Sequence, residues 1–388
     1  MRKVVNRFNF FYGILIISFI ILFPSLPAYA QSKPDSVADE VKSKILNHFN
    51  HFTIGFYVDT YFNLTLDNVK DTSNLIPFSS NCPVRDQIRI NHAAIETYYS
   101  AEKVRGKFVL QFGDAPNLLA LPETQFIKNI DQANFGFRIV RDLWIDFGYI
   151  FNPDGFESSW AIMNQISTVT IGAYFEPGNI LGVKLSYKFS DKFNGGIMCG
   201  NPYSLAYKKN NHVIGMIFLN YSPFEKLRIS YNNNFGHQDQ KNTGIDTYLL
   251  YNNLIITYKP VKQVLLIGQF DMAAQTHSKM APDSSKTATM FSGCLQARYT
   301  LVEKYSFTAR VELFNDPEGF LSGVYFFDGK KSGLFTWGAT VGFEYRPVSF
   351  GYIRLEYRYL HANDGNKVFY SNQLDRMNIL TFTTGVRF

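Results

Sequence analysis

Charged side chains in this sequence recur at every second position, a spacing that suits ion binding or ion pairing rather than covalent chemistry. Arg354, Glu356 and Arg358 follow one another in this way, and Arg310 and Glu312 repeat the pattern. Alternate residues of a β-strand point to the same face, so each group would lie on one side of a sheet. Charges that line a pore set its ion preference, whereas opposite charges on neighbouring strands pair and stiffen the wall. The sequence leaves both interpretations open.

The common signatures of an enzyme or a metal centre are not found in the sequence. The seven His residues show no HxxxH or HExxH spacing, so we expect no metal and no other cofactor. There is no GxSxG nucleophile elbow. No grouping of Ser, His and Asp supports a hydrolase embedded in the protein. We therefore predict no catalytic residue and no enzyme activity.

Composition excludes three broad classes of protein. A hydrophobic content of 46% is too high for a disordered chain, and a net charge of +6 is too small for a nucleic-acid partner. After residue 30 there is no run of about 18 apolar residues, which a membrane-spanning helix requires. What remains is a folded chain of 388 residues that is rich in Phe and Tyr.

Residues 1–30 have the features of a cleavable signal peptide. Basic residues precede an apolar stretch at 8–23, and Ala28-Tyr29-Ala30 forms the small-x-small pattern that signal peptidase recognises. An N-terminal anchor helix is the alternative, but the apolar part is short for a membrane span. We expect an exported protein that begins at Gln31, with a short periplasmic helix or extension at 31–50.

From residue 51 to the end, the sequence alternates apolar and polar positions. Ile353, Leu355 and Tyr357, for example, alternate with Arg354 and Glu356. This period of two is typical of strands with two different faces. We predict sixteen strands, at 52–64, 87–100, 107–113, 132–140, 143–151, 180–189, 193–201, 212–222, 227–236, 247–259, 264–274, 289–301, 305–314, 333–346, 352–361 and 377–388.

The connections between these segments alternate between short and long. Residues 141–142 form one of the tight turns, and residues 152–179 form the longest loop. An even strand number with this alternation is typical of a transmembrane antiparallel β-barrel, with short periplasmic turns and long extracellular loops. We therefore assign an all-β fold, with the barrel at 51–388.

Aromatic residues on the apolar face support the barrel against a soluble alternative. They lie at strand ends next to the short turns, where an aromatic girdle meets the lipid headgroups. The alternative is a soluble β-sandwich or propeller, whose strands also alternate. The girdle residues are Tyr221, Tyr258, Tyr299, Tyr345 and Phe388.

The polar faces of the sixteen strands predict the lining of a water-filled interior, since a barrel of this size is too wide for side chains to fill. Basic residues outnumber acidic ones on these faces, which predicts a mild anion preference. A change of phase near 90–93 predicts a β-bulge. The predicted pore-lining residues are Asp59, Lys107, Arg138, Lys184, Arg228, Arg298, Arg310, Glu312, Glu344, Arg346, Arg354, Glu356 and Arg358.

The loop 152–179 is the best candidate to narrow the interior. It carries Asp154, Glu157 and Glu176, which we expect to face the basic wall and create a transverse electric field. The alternative is an ordinary surface loop with a small hairpin at 168–175. The sequence does not decide between them.

Three short motifs resemble the OmpL-like β-barrel porin family of bacterial outer membranes. They are Val104-Arg105-Gly106-Lys107-Phe108 with its continuation to Asp114, Asn152-Pro153-Asp154-Gly155-Phe156-Glu157-Ser158, and Arg310-Val311-Glu312 followed by 315–319. The resemblance extends over most of 51–388. It implies an outer-membrane channel of a Gram-negative bacterium for passive diffusion of small hydrophilic solutes, and it assigns no binding residue.

The resemblance also implies partners. The last strand, ending at Phe388, is similar to the terminal strand by which porins engage the barrel-assembly machinery. Outer-membrane lipid, lipopolysaccharide and small polar solutes are the other expected partners, and association as a homotrimer is left open. The alternative function is a plugged barrel that acts as an adhesin or structural scaffold through its extracellular loops.

Overall fold

The computed structural model describes residues 49–69, 73–119, 127–201, 212–239, 245–281, 283–327, 330–362 and 365–388. The predicted leader at 1–30 and all but the last two residues of the predicted extension at 31–50 lie outside these ranges. No helix within them is long and apolar enough to cross a membrane.

Sixteen antiparallel strands form a closed barrel, which confirms the predicted fold and strand number. Neighbouring barrel strands are consecutive in the chain, and the last strand pairs with the first to close the ring. The barrel strands are β1 Phe52–Thr65, β2 Ile88–Ser100, β3 Val104–Phe112, β4 Ile130–Val140, β5 Leu143–Ile150, β6 Ile180–Lys188, β7 Phe193–Asn201, β8 Ile214–Phe224, β9 Leu227–Asp239, β10 Asp246–Tyr258, β11 Val264–Gln275, β12 Ala288–Val302, β13 Tyr305–Asp316, β16 Leu334–Val348, β17 Gly351–Ala362 and β18 Arg376–Arg387.

Other elements lie in the connections. Strands β14, Tyr325–Phe327, and β15, Lys330–Ser332, form a separate hairpin between β13 and β16 that the sequence pattern did not predict. Helix α1 spans Asp114–Leu119 and helix α2 spans Ile171–Phe175. Both helices are short, so their position depends on what they pack against rather than on helix propensity.

Alternation along the strands gives the barrel an apolar outside and a polar inside. In β13, Phe307 and Val311 are about half exposed, whereas Thr308, Arg310 and Glu312 are buried. The same alternation runs through the neighbouring strands β16 and β17. An exposed apolar band of this kind is stable only against hydrocarbon, so the fold is that of an outer-membrane barrel.

The predicted β-bulge is confirmed between β1 and β2. Asp59 lies opposite His92, but the next residue, Thr60, lies opposite Ile90, so Asn91 is the extra residue. The Asn91 side chain donates to Asp59 Oδ2 at 3.0 Å and accepts from the Cys82 backbone N–H at 2.8 Å. The bulge thus aims a polar side chain into the interior.

Three glycines lie side by side on the inner face of β5, β6 and β7. Gly148 is opposite Gly182, which in turn is opposite Gly200. A Cβ atom on Gly182 would lie 2.1 Å from the Cys199 carbonyl oxygen, closer than any side chain tolerates. These strands therefore approach more closely than other residue types permit, and no side chain projects from this row.

Long connections pack an apolar cluster inside one part of the barrel. Ile76 and Phe369 come from connections, whereas Leu249, Phe314 and Met377 point inward from strands. All five are buried. Part of the interior is therefore filled by protein rather than by solvent.

Candidate functional site

The connection between β5 and β6, residues 151–179, lies against the inner faces of strands on the opposite side of the barrel. The Ile162 N–H donates to the Tyr57 hydroxyl on β1 at 3.3 Å, and the Ser167 hydroxyl lies 2.7 Å from that of Thr383 on β18. The Ile171 N–H donates to Glu312 on β13 at 2.7 Å. The segment therefore crosses the interior. The alternative of a surface loop with a small hairpin at 168–175 is wrong, because residues 171–175 form a helix, α2.

The Arg310 guanidinium joins this inner segment to the wall. Its Nη1 atom donates to Glu157 Oε1 at 2.6 Å and to the Thr168 carbonyl oxygen at 2.7 Å. Its Nη2 atom lies 3.5 Å from Glu312 Oε1. The Arg310 side chain is 0% exposed. A charge this deeply buried is tolerated only when it is paired and hydrogen-bonded.

Glu344 on β16 is the centre of a second group of charges. Arg354 donates to its Oε2 atom at 2.6 Å and Arg346 to its Oε1 atom at 2.7 Å. Arg298 also donates to Oε1. Arg354 in addition donates to the Ala161 carbonyl oxygen of the inner segment at 2.6 Å. Three guanidinium groups thus share one carboxylate.

Glu356 and Arg358 on β17 have different partners. The Glu356 carboxylate accepts from the Ser167 backbone N–H and, at 2.9 Å, from the Thr168 hydroxyl, both in the inner segment. Arg358 donates to Glu312 Oε1 at 2.8 Å. The alternating charges of β13, β16 and β17 therefore form pairs along the wall and also hold the inner segment.

The carboxyl groups of the inner segment occupy two environments. Glu157 pairs with Arg310, and Thr170 donates to it through both its N–H and its hydroxyl. Asp154 accepts from Asn152 at 3.1 Å and from Asn234 at 2.5 Å, and Glu176 accepts from Gln269 at 2.5 Å. Contrary to expectation, Asp154 and Glu176 face amide side chains rather than the basic wall.

Burial raises the pKa of all three carboxyl groups. The pKa of Asp154 rises to about 7, with amide hydrogen bonds opposing the effect of burial. The pKa of Glu176 rises well above its ordinary value because of burial and the nearby Asp271. The pKa of Glu157 rises less than burial alone would cause, because Arg310 favours its charged form.

Aromatic packing holds another part of the inner segment. The Trp160 ring stacks on Tyr57 with ring centroids 5.0 Å apart and an interplanar angle of 8°. Val109 and Tyr352 belong to the same buried cluster. Sequence reasoning missed this contact, although the position of Tyr57 on a polar face of β1 was a signal that its ring points inward.

The inner face of β3 to β6 carries cations that the inner segment does not neutralise. Arg105 donates to both carboxylate oxygens of Asp146 at 2.7 and 2.6 Å. Its guanidinium lies 4.3 Å from the centroid of the Trp144 ring, and that of Arg138 lies 5.1 Å from it. Lys107 lies 5.0 Å from the centroid of the Tyr98 ring. Arg105 was missed because the predicted strand began at 107 instead of Val104.

The remaining predicted site residues lie on the inner faces of β1, β6 and β9. Asp59 is buried and accepts from Asn91 and from the Tyr352 hydroxyl. Arg228 donates to Asn220 at 2.8 Å. Lys184 is directly opposite Asp146 on the neighbouring strand. Within the described ranges there is no group of three or more His, Cys, Asp or Glu side chains that could hold a metal ion.

Solved structures with the same fold include outer-membrane proteins from several bacteria. OmpF of Salmonella typhi, in complex with daunomycin, is 12% identical with a TM-score of 0.57, covering 87% of this chain and 97% of its own. An anion-selective porin from Comamonas acidovorans is 9% identical with a TM-score of 0.54, covering 87% and 99%. A trimer form of the outer-membrane protein OmpT of Vibrio cholerae is 11% identical with a TM-score of 0.52, covering 87% and 99%.

Sequence comparison gives the family. No curated protein has a matching sequence. The profile of the family described as "Putative beta-barrel porin-2, OmpL-like" matches residues 51–388, which is the whole barrel. A match of this extent shows that the chain belongs to the OmpL-like family of β-barrel porins.

Proposed function

We propose that this porin is a passive diffusion channel for small hydrophilic solutes in the outer membrane of a Gram-negative bacterium. The family and the barrel fold support a channel rather than an enzyme. The observation that carries the proposal is the path of residues 151–179 across a polar interior. A segment in this position narrows the barrel to a passage, and Arg105, Lys107 and Lys184 on β3 and β6 stay partly exposed to line it.

Residues 151–179 are the proposed constriction, held mainly by charged contacts. Glu157 fixes the segment to Arg310, whereas Asp154 and Glu176 fix its two ends to amide side chains of β9 and β11. Deeply buried contacts of this kind give a single position instead of an ensemble. The width of the passage then depends on whether these three carboxyl groups keep their partners.

The proposed pore lining is basic, which supports a mild anion preference. Arg310, Arg354 and Arg358 are balanced by Glu157, Glu312 and Glu344. In the described part of the chain, no acidic side chain lies within ion-pair distance of Lys107, Arg138, Lys184 or Arg228. These four cations support the anion preference.

Planar-bilayer recording of the refolded protein tests the proposal. Current steps of constant size, with a reversal potential under a salt gradient that shows anions crossing faster than cations, are the expected result. Stable steps with a cation preference would support the channel function and refute the anion preference. A correctly folded barrel that gives no current would refute both.

A plugged scaffold is the second candidate, and the buried apolar cluster around Leu249, Phe314 and Phe369 supports it. Loops that pack this tightly would block the interior and leave the extracellular surface free to act as an adhesin or structural element. A silent barrel that nevertheless binds a surface would favour this function over diffusion.

We also propose how the protein is exported, inserted into the membrane and assembled. The leader at 1–30 would direct export, and the strand ending at Phe388 would engage the barrel-assembly machinery before insertion among lipid and lipopolysaccharide. A homotrimer is the proposed assembly, supported by the trimer form of the similarly folded Vibrio protein. Its mass in detergent, measured by light scattering, distinguishes a trimer from a monomer.

A further inference from the structure

Two cations and one carboxylate lie in a single row across the inner faces of β3 to β6. Arg105, Gly136, Asp146 and Lys184 lie opposite one another on the four strands. Because Gly136 has no side chain, Arg105 reaches across it to Asp146; a Cβ atom there would lie 2.1 Å from Asp146 Oδ1. Asp146 is thereby paired with Arg105, and within the described residues the ammonium group of Lys184 beside it forms no ion pair.

A second row lies next to the first on the same inner face. Lys107 is opposite Asn134, which is opposite Gly148, and the row continues through the glycines Gly182 and Gly200. Between Lys107 and Gly200, Asn134 is the one residue of this row that has a side chain. Both lysines are partly exposed to the interior, so their charges are available to solutes.

Acidic groups on these strands do not cancel the positive charge. Asp146 is engaged by Arg105, and Asp131 lies at the register shift between β3 and β4, near Lys107. Glu96 on β2 accepts from Arg387 at 2.7 Å. With Arg138 included, four cations face Asp131 and Asp146, and the net charge of this wall is positive.

We propose that Arg105, Lys107 and Lys184 form an anion-binding step on the solute route, for small oxyanions such as phosphate and carboxylates. This inference rests on the proposed channel function and names the residues that set its selectivity. Arg105 provides a guanidinium fixed by Asp146, and Lys107 and Lys184 provide point charges on the same wall. The buried ladder of Arg310, Arg354 and Arg358 holds the inner segment and has no direct contact with solutes.

Reversal potentials of matched variants test this assignment. The double variant Lys107→Gln/Lys184→Gln is compared with Lys262→Gln, an exposed lysine in the turn between β10 and β11. We expect the double variant to lower the anion-to-cation permeability ratio at least about twofold, and Lys262→Gln to leave it unchanged. An unchanged ratio in the double variant would overturn the anion-binding step while the channel itself remains.

A second measurement does not depend on conduction. Trp144 lies between Arg105 and Arg138, so its fluorescence reports anions at this wall in a Trp160→Phe/Trp337→Phe background. Iodide should quench it less in the double lysine variant, whereas neutral acrylamide should quench both proteins equally. If iodide and acrylamide quenching fall equally, the substitutions have altered access to Trp144. If iodide quenching is unchanged, the lysines do not bind anions at this wall. Either result would refute the proposal. If the lysine substitutions lower iodide quenching in a barrel that does not conduct, the channel function is refuted and the anion site is supported.

Discussion

The Arg310 Nη1 atom lies 2.6 Å from Glu157 Oε1, although the two residues are 153 positions apart in the sequence. Both side chains are almost completely buried. The contact joins the middle of β13 to a segment that begins at the end of β5. This fully enclosed ion pair is therefore one of several contacts that hold the inner segment against the wall.

Breaking this pair should loosen the inner segment. We expect Glu157→Gln to destabilise the docked segment by about 3–5 kcal/mol, because it leaves the Arg310 charge buried without its closest partner. Thermal unfolding in detergent should shift to lower temperature, and single-channel conductance should rise. Asp191→Asn, which removes an exposed pair with Lys188, is the control and should change neither. A Glu157→Gln barrel with unaltered conductance would refute the pair as the anchor.

Conductance should depend on pH through Asp154. Its pKa is about 7 in the folded protein and 3.8 ordinarily, because burial disfavours the charged carboxylate. The docked state therefore binds the proton more tightly, and its stability falls as pH rises from about 4 to about 7. We expect larger or noisier currents at about pH 8 than at about pH 5.

Asp154→Asn is the matched variant for this pH dependence. The amide has the same shape as the protonated carboxyl group and does not ionise. The variant should keep the low-pH conductance at both pH values. A pH dependence of full size in Asp154→Asn would assign the effect to other groups, Glu176 first.

The close approach of β6 and β7 should make Gly182 intolerant of substitution. A Cβ atom at this position would lie 2.1 Å from one backbone atom and 2.6 Å from another, and backbone cannot move aside as a flexible side chain does. Gly182→Ala should lower the fraction of folded barrel, measured as heat-modifiable mobility on gels. Gly178→Ala, with no atom within 4 Å of the new Cβ, should fold normally. Equal folding of the two variants would contradict the close approach.

The terminal residue should contribute to assembly. The Phe388 N–H donates to the Phe56 carbonyl oxygen at 3.0 Å, and the two rings are 5.8 Å apart. We expect Phe388→Ala to reduce the amount of folded barrel in cells, because it removes the aromatic end of the closing strand. Phe350→Ala, in the exposed turn between β16 and β17, provides the control. Full assembly of Phe388→Ala would show that the terminal ring is dispensable.

The sequence predicted the barrel well because the strand period is a local property. Arg310 and Glu312 could be assigned to the inner face from two-residue alternation alone, and so could the bulge at Asn91 from a change of phase. Helix α2 was not predicted, since five residues carry little periodic signal. Its position comes from a contact between Ile171 and Glu312, 141 residues away.

The partners of the charged residues could not be predicted in the same way. Alternation gives the face of Arg310, but Glu157 lies in a connection and has no strand face, so their contact is visible only in three dimensions. Arg105 was lost for a simpler reason: strand ends are uncertain by a few residues, and β3 begins three residues before the predicted start. Its bidentate contact with Asp146 then follows from register.

The pairing of β18 with β1 places Tyr57 opposite Arg387 and Thr65 opposite Ile379. Strand β1 can therefore pair with one of its two neighbours only after β18, the last strand of the barrel, has been synthesised. Until then both strands carry bare amide and carbonyl groups, which invite aggregation with other chains. The unfolded chain therefore needs a chaperone until it reaches the membrane. A stop codon upstream of Arg376 would remove β18 and leave the barrel open.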